Sequence, residues 1–133
     1  MVKAPPFFHI QPFQSQNGIQ FESFAKANDY HEDLYSQLVA PSLKTNLLTE
    51  TWQHGTTHNI NSTCDGDYTV EDITDINIKL STGEAYSFYC MNDHSKFAVS
   101  KSSSNPYVCI GDINRQVIFL LCCCFRVCPD YFK

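Results

Sequence analysis

From residue 47 onward the chain is divided by polar turns into short apolar segments, and this pattern limits the folds open to it. One earlier stretch, residues 21–39, places its apolar side chains mostly three or four positions apart, which predicts one main amphipathic helix. One helix combined with several strands predicts the α/β class with a mixed sheet. Five segments have the length and composition typical of one β-strand: 47–52, 70–80, 86–89, 96–99 and 107–110.

The 133 residues are enough for one domain with its own core, and they divide into three parts. Residues 1–20 are rich in proline, glutamine and aromatic side chains, which predicts an irregular N-terminal segment. Residues 21–115 contain the predicted helix and strands. Residues 116–133 form an apolar, cysteine-rich tail that is too short for a membrane-spanning helix, which needs about 20 apolar residues. A buried strand or a buried helix remains open for this tail.

The net charge of −5, with histidine counted as neutral, argues against an avid, nonspecific nucleic-acid-binding protein at neutral pH, because phosphates would be repelled. The chain also contains five histidines, and their protonation would bring the net charge from −5 to 0. An acidic compartment would therefore make DNA an acceptable substrate.

Seven cysteines are many for a cytosolic chain of this size. The triplet that begins at Asn61 is an acceptor pattern for N-glycosylation, beside Cys64 on a polar loop. Both features predict the secretory pathway, although the first residues lack the pattern of a signal peptide. We therefore expect that an N-terminal part is missing from this sequence, and the odd number of cysteines points the same way.

His94 and Lys96 are two residues apart, so an extended backbone points both side chains to one side. An imidazole can attack phosphorus or transfer a proton, and an ammonium stabilises the negative charge that builds on phosphate oxygens. Such a pair requires no metal ion. Taken alone, the H-x-K triplet is a weak signal, because chance and a solvated surface explain most instances.

Asp112, Asn114 and Arg115 follow directly after the apolar segment 107–110, which predicts that a strand end delivers them to one edge of the sheet. Asn114 can donate to a phosphate or orient a histidine, and Arg115 can bind a phosphate through two parallel hydrogen bonds. A turn with an asparagine cap is the simpler alternative.

Trp52 is the only tryptophan of the chain. Its ring, like those of the tyrosines, could stack on a nucleic-acid base, but packing in the core is the more frequent use of such side chains. We therefore expect Trp52 to belong to the core.

Taken together, two motifs resemble the C-terminal active-site signature of the deoxyribonuclease II family. Residues 93–97, DHSKF, are similar to that family's D-H-S-K-W, and residues 107–115 are similar to its W-x-C-x-G-D-x-N-R. The resemblance covers roughly residues 20–115. Shorter stretches follow in the family's order at residues 24–27, 33–36 and 45–47, at Trp52 and at Cys64.

The resemblance implies a phospholipase-D-like fold, of which this chain is a partial α/β/α layer and an incomplete half of a pseudo-twofold enzyme. In such an enzyme each half contributes one H-x-K motif to a shared site, which cuts DNA at acid pH without a metal ion or cofactor and leaves a 3′-phosphate. The resemblance also implies a lysosomal or secreted protein. By residue type and position, His94, Lys96 and Asn114 would be catalytic, and Asp112 and Arg115 would bind the substrate.

No other histidine of the chain is followed by lysine two positions later, so the motif of the first half is absent. One imidazole cannot both attack phosphorus and protonate the leaving oxygen. We therefore expect little or no activity from a monomer, with the second imidazole supplied by a missing N-terminal half or by a homodimer. The alternative is a catalytically dead, secreted family member that binds DNA or another partner.

The cysteines and the tail depart from the family pattern. The resemblance makes Cys64 and Cys109 candidates for disulfide bonds, but their usual partners would lie in the replaced tail, and Ala98 stands where the family has cysteine. Gln116-Val117 is what CAG followed by a GT splice donor would encode, so we hypothesise that the tail is intron read-through or another gene-model error. Its adjacent cysteines lack the spacing of a zinc site.

Overall fold

A computed structural model describes residues 4–53, 59–112, 114–116 and 120–126, and within 120–126 it describes the side chain of Cys124 alone. In this part of the chain nine strands form a seven-stranded sheet and a separate two-stranded sheet. The strands are β1 (Phe8–Gln14), β2 (Gln20–Lys26), β3 (Leu47–Glu50), β4 (Val70–Asp72), β5 (Asp75–Lys79), β6 (Ala85–Tyr89), β7 (Phe97–Ser100), β8 (Tyr107–Gly111) and β9 (Leu120–Arg126).

The large sheet has the strand order β1-β2-β9-β8-β7-β3-β4. Its neighbouring strands are antiparallel except for β3 and β4, which run parallel, so the sheet is mixed. Strands β5 and β6 form the small antiparallel sheet. This arrangement, together with the helix described next, confirms the predicted α/β class.

The main helix is shorter than the sequence pattern suggests. A π-helical turn, Tyr35–Val39, continues into an α-helical turn, Ala40–Leu43, and we call residues 35–43 the central helix. Asp33 stabilises its start, because the carboxylate accepts the backbone N–H of Tyr35 at 3.1 Å and that of the next residue at 3.2 Å.

The helix predicted for residues 21–39 is wrong in its first half, which is strand β2 followed by a 3-10 turn at Asn28–Tyr30. Strand β2 lies between β1 and β9, and the backbone hydrogen bonds to both neighbours override the local apolar spacing. The irregular structure expected for residues 1–20 is likewise wrong for β1. The predicted strand at 70–80 is divided between β4 and β5, which belong to different sheets.

The apolar tail contributes a strand to the interior of the large sheet. Strand β9 lies between β2 and β8 and is antiparallel to both. Of the two alternatives left open above, the tail therefore forms a strand. Residues 117–119 and 127–133 lie outside the described residues, and the hypothesis of a gene-model error stays a prediction.

The core lies where the central helix meets strands of the large sheet. Buried residues of β2, β3, β4, β7, β8 and β9 pack with the helix, and the same cluster is contacted by the half-buried side chains of Phe8, Ile10, Tyr68 and Tyr107. Its members are Phe24, Leu34, Tyr35, Leu38, Val39, Ala40, Leu43, Leu47, Val70, Ala98, Cys109 and Cys124.

A disulfide bond joins two neighbouring strands. Cys109 of β8 is bonded to Cys124 of β9, which stands opposite it in the antiparallel pair. Ala98 of β7 is the other cross-strand neighbour of Cys109, and its side chain is fully buried. The expectation for Cys64 is corrected, because its thiol is free and exposed.

Replacing Cys109 with alanine should lower the free energy of unfolding by about 3 kcal/mol, the value expected for a bond that closes a loop of about 15 residues. The measurement is urea denaturation without reductant. Cys64→Ala is the matched control and should change the stability by less than about 0.5 kcal/mol, because this thiol is exposed and free. Equal effects of the two substitutions would show that the disulfide contributes nothing.

Candidate active site

Two adjacent strands bring the predicted motifs to the same edge of the large sheet. Strand β7 begins at Phe97, β8 ends at Gly111, and the two strands are antiparallel. The ladder extends one step further, because the N–H of Gly111 donates to the carbonyl oxygen of Lys96 at 2.9 Å. The segment before β7 and the segment after β8 therefore lie side by side, as the sequence predicts.

The H-x-K segment lies outside the strands, and Asp93 forms a local turn with Ser95 within it. The Asp93 carboxylate accepts the backbone N–H of Ser95 at 2.9 Å and also the Ser95 hydroxyl. The hydroxyl bond and the N–H bond together hold the pKa of Asp93 below its usual value. This local turn precedes β7 directly and fixes the backbone on both sides of His94.

His94 and Lys96 both contact the indole of Trp52. The His94 ring lies with its centroid 3.6 Å from that of Trp52 and at an angle of 35° to it. The Lys96 ammonium lies 5.5 Å from the centroid of the same indole and also donates to the carbonyl oxygen of His94. The imidazole and the ammonium are thus on one side of the chain, and His94 is exposed to solvent.

Glu50 is a buried carboxyl beside these residues that sequence reasoning missed. It ends β3 opposite Phe97, with 1% of its surface exposed. One carboxyl oxygen accepts the backbone N–H of Trp52 at 3.0 Å, and the other has no hydrogen-bond partner in the part of the chain that the structure describes. Burial raises the pKa of Glu50, and the nearby Asp93 and Asp72 carboxylates add to this effect.

Asn114 and Asp112 follow β8 in different surroundings. Asn114 is half-buried, and among the described residues its side-chain oxygen has no hydrogen-bond partner although it is shielded from solvent. Asp112 is exposed. A buried amide oxygen without a partner is costly, so Asn114 is a candidate for contact with a group that binds at this edge.

Arg115 is predicted to bind a phosphate, but its guanidinium binds other residues of the protein. Its side chain is buried, and it forms ion pairs with Asp33 at 2.8 Å and with Asp72 at 3.0 Å. It also donates to the Thr63 hydroxyl at 2.8 Å and to the carbonyl oxygen of Val70 at 3.4 Å. Burial alone would lower the pKa of Arg115, but the two carboxylates outweigh it and raise the pKa. These contacts assign Arg115 to the framework of the site.

Known proteins are similar to this chain in sequence. A family model described as Deoxyribonuclease II matches residues 1–118. Cell death-related nuclease 6 of Caenorhabditis elegans is 41% identical over 121 residues, which cover 86% of this chain and 32% of the relative. The chain belongs to the deoxyribonuclease II family. The resemblance inferred from the two motifs is thereby confirmed at the level of the family.

Two further relatives cover a similar part of their own length. Deoxyribonuclease-2 of Caenorhabditis elegans is 40% identical over 114 residues, which are 86% of this chain and 29% of the relative. Plancitoxin-1 of Acanthaster planci is 39% identical over 115 residues, which are 86% of this chain and 31% of the relative. This deoxyribonuclease II family member therefore spans about 30% of the length of these relatives.

The remaining predicted positions lie near β4. Asn61 is exposed in the loop that precedes this strand. The hydroxyl of Thr63, the third residue of its triplet, accepts a hydrogen bond from Arg115 at 2.8 Å. In the described ranges, no three His, Cys, Asp or Glu side chains are grouped closely enough to hold a metal ion. No helix in the same ranges has the length and apolar character needed to cross a membrane.

Replacing Arg115 with methionine should lower the free energy of unfolding by about 3–5 kcal/mol, because Asp33 and Asp72 would lose their shared buried cation. Urea denaturation at neutral pH measures the change. Lys101→Met is the matched control: its ion pair with Glu71 is more than one-third exposed on both sides, so we expect a much smaller loss of stability. A comparable loss of stability in both variants would contradict the framework role of Arg115.

Replacing Glu50 with glutamine should stabilise the protein more at pH about 7 than at pH about 4. The pKa of Glu50 is raised in the folded state, so its favourable contribution is present at low pH and is lost as the pH rises. Urea midpoints of the variant and the wild type at both pH values test this. Glu71→Gln should behave in the opposite way, because the hydrogen bond from Lys101 lowers the pKa of Glu71.

Proposed function

We propose that this chain contributes one H-x-K half-site to a deoxyribonuclease II-like acid endonuclease, which hydrolyses DNA phosphodiesters without a metal ion and leaves 3′-phosphates. His94 and Lys96 are the catalytic pair, and Asn114 completes the site. The observation that carries the proposal is the convergence of the two family motifs through the hydrogen bond between Gly111 and Lys96.

The chemistry follows from the two side chains. In the first step an imidazole nitrogen attacks phosphorus, the bond to the 5′-oxygen of the next nucleotide breaks, and a phosphohistidine forms. The leaving oxygen takes a proton from a second imidazole. Water then attacks the phosphohistidine and gives a proton to the second imidazole. The P–N bond breaks, and the 3′-phosphate is released. The Lys96 ammonium stabilises the charge on the phosphoryl oxygens, and Asn114 donates its amide N–H to one of them.

An acidic working pH suits the charges of this edge. Burial raises the pKa of Glu50, so this carboxyl becomes neutral earlier than an ordinary glutamate as the pH falls. Protonation of the five histidines would at the same time bring the net charge of the chain from −5 to 0. Both changes weaken the repulsion between the chain and a DNA phosphate.

The second imidazole has to come from outside the H-x-K motif of this chain. The sequence contains one such motif, and the chain spans about 30% of the length of its relatives. A further part of a longer protein, or a second copy that supplies its own His94, would complete the site. An isolated monomer should have little or no activity. The single motif also favours a second candidate, a catalytically inactive family member that binds DNA.

The proposed location is lysosomal or secreted. The exposure of Asn61 on its loop supports glycosylation at this residue, and the disulfide between Cys109 and Cys124 suits an oxidising compartment.

A plasmid-nicking assay at pH about 5 with EDTA tests the proposal. Wild type, His94→Ala and Lys96→Met are compared, and the mass of each species is measured by light scattering. We expect any nicking to come from a species of dimer mass and to be lost in His94→Ala. In the monomer, Lys96→Met should weaken the binding of a DNA oligonucleotide about tenfold, the effect of one hydrogen bond to a charged group.

His9→Ala is the matched control, because His9 is exposed on the edge strand β1. It should leave nicking and binding unchanged. Nicking that survives His94→Ala, or that disappears with EDTA, would contradict the proposal. Oligonucleotide binding that depends on Lys96 without nicking by any assembly of the chain would support the inactive, DNA-binding candidate.

A further inference from the structure

Trp52 lies two residues after the end of β3 and contacts both catalytic side chains, His94 and Lys96. Its indole N–H donates to the carbonyl oxygen of Met91 at 3.2 Å, which anchors one end of the ring. One face of the ring is covered by His94, and the Lys96 ammonium lies within the range of a cation–π contact. Trp52 is half-buried and does not belong to the core cluster, so the expected core role is corrected.

The backbone of Trp52 is held in a conformation that it would not adopt alone. Its φ of 45° lies in the left-handed region, which is unfavourable for a bulky side chain. Glu50 compensates, because its carboxyl oxygen accepts the Trp52 N–H at 3.0 Å. The carboxyl is enclosed by the protein and has 1% of its surface exposed, so it cannot move away without rearranging the end of β3.

We propose that Trp52 is a positioning residue for the reaction, and that Glu50 holds Trp52 in place. The inference rests on the proposed function, because it assigns to Trp52 the task of orienting His94 and Lys96. His94 lies outside the strands, before the point at which Lys96 joins the ladder to β8, and its side chain is exposed. Without the indole, the imidazole would be free to sample several rotamers. Stacking reduces that freedom before the substrate binds, which is how positioning lowers a reaction barrier.

The competing interpretation, that Trp52 stacks on a DNA base, requires a free ring face. The face towards the catalytic residues is already covered by the imidazole at 3.6 Å between centroids. The positioning role also explains why a buried carboxyl, Glu50, accepts the N–H of Trp52. Stacking on a DNA base does not require this hydrogen bond. The two interpretations differ in a measurable way, because only positioning predicts that the environment of His94 depends on Glu50.

The test uses proton NMR of the full chain without DNA. An imidazole stacked on an indole has its ring protons shifted upfield, and His94→Gln identifies these signals by removing them. We expect Trp52→Asn to return the His94 signals to ordinary histidine positions. Asparagine is chosen because it tolerates the left-handed conformation that Trp52 adopts. A dispersed amide spectrum confirms that the variant is folded.

Glu50 supplies the second pair of variants. Glu50→Gln keeps an oxygen that accepts the Trp52 N–H and should retain the upfield shift, whereas Glu50→Ala should lose it. In oligonucleotide binding at pH about 5, Trp52→Asn should weaken the affinity about threefold, the size of an exposed cation–π contact at Lys96. Unshifted His94 signals in the wild type, or equal behaviour of the two Glu50 variants, would overturn the inference.

The NMR readout separates this inference from the proposed function. Upfield signals that depend on Glu50, found together with nicking that survives His94→Ala, would overturn the nuclease proposal alone. A chain that nicks DNA in a His94-dependent manner with unshifted signals would overturn the positioning role alone.

Discussion

The buried guanidinium of Arg115 is the interaction on which the rest of the structure depends. It joins Asp33, two residues before the central helix, to the end of β4 at Asp72 and to the loop at Thr63, all distant from it in sequence. Removing an arginine charge from water costs several kcal/mol, so the buried cation is stable only when these acceptors are in place. The chain that carries Asn114 is therefore held in one position relative to the helix and β4.

Parts of the fold that depend on near neighbours in sequence could be predicted. Strands β7 and β8 are short apolar segments joined by a polar turn, and they pair with each other. Strand β2 could not be predicted, because the composition of residues 1–20 gave no sign of β1, its neighbour on one side, and β9, its neighbour on the other side, lies about 100 residues later in the chain. Its apolar residues fall at helical spacing by chance, and the hydrogen bonds of two neighbouring strands decide the outcome. The predicted helix is confirmed only in its last part, residues 35–39, where the Asp33 carboxylate accepts a backbone N–H at the start of the central helix.

Some residues of the candidate site could be predicted from the sequence, and others could not. His94 and Lys96 are recognisable by residue type and spacing alone, which are those that the proposed attack on a phosphate needs. The strand ladder then brings their segment beside Gly111. The framework role of Arg115 has no local signal, since its two carboxylate partners are 82 and 43 residues away. Glu50 could not be found either: a glutamate at a strand end is ordinarily exposed, and only the folded chain shows that it is buried.

The pKa values of two carboxyls near His94 and Lys96 are shifted in opposite directions by their surroundings. The bonds from Ser95 lower the pKa of Asp93, so this carboxylate stays charged in mild acid and continues to shape the H-x-K segment. Burial raises the pKa of Glu50, so this carboxyl is the first of the two to become neutral as the pH falls. A neutral carboxyl still accepts the N–H of Trp52 through its carbonyl oxygen. Acid can therefore remove a negative charge that repels phosphate without releasing the indole against which His94 is stacked.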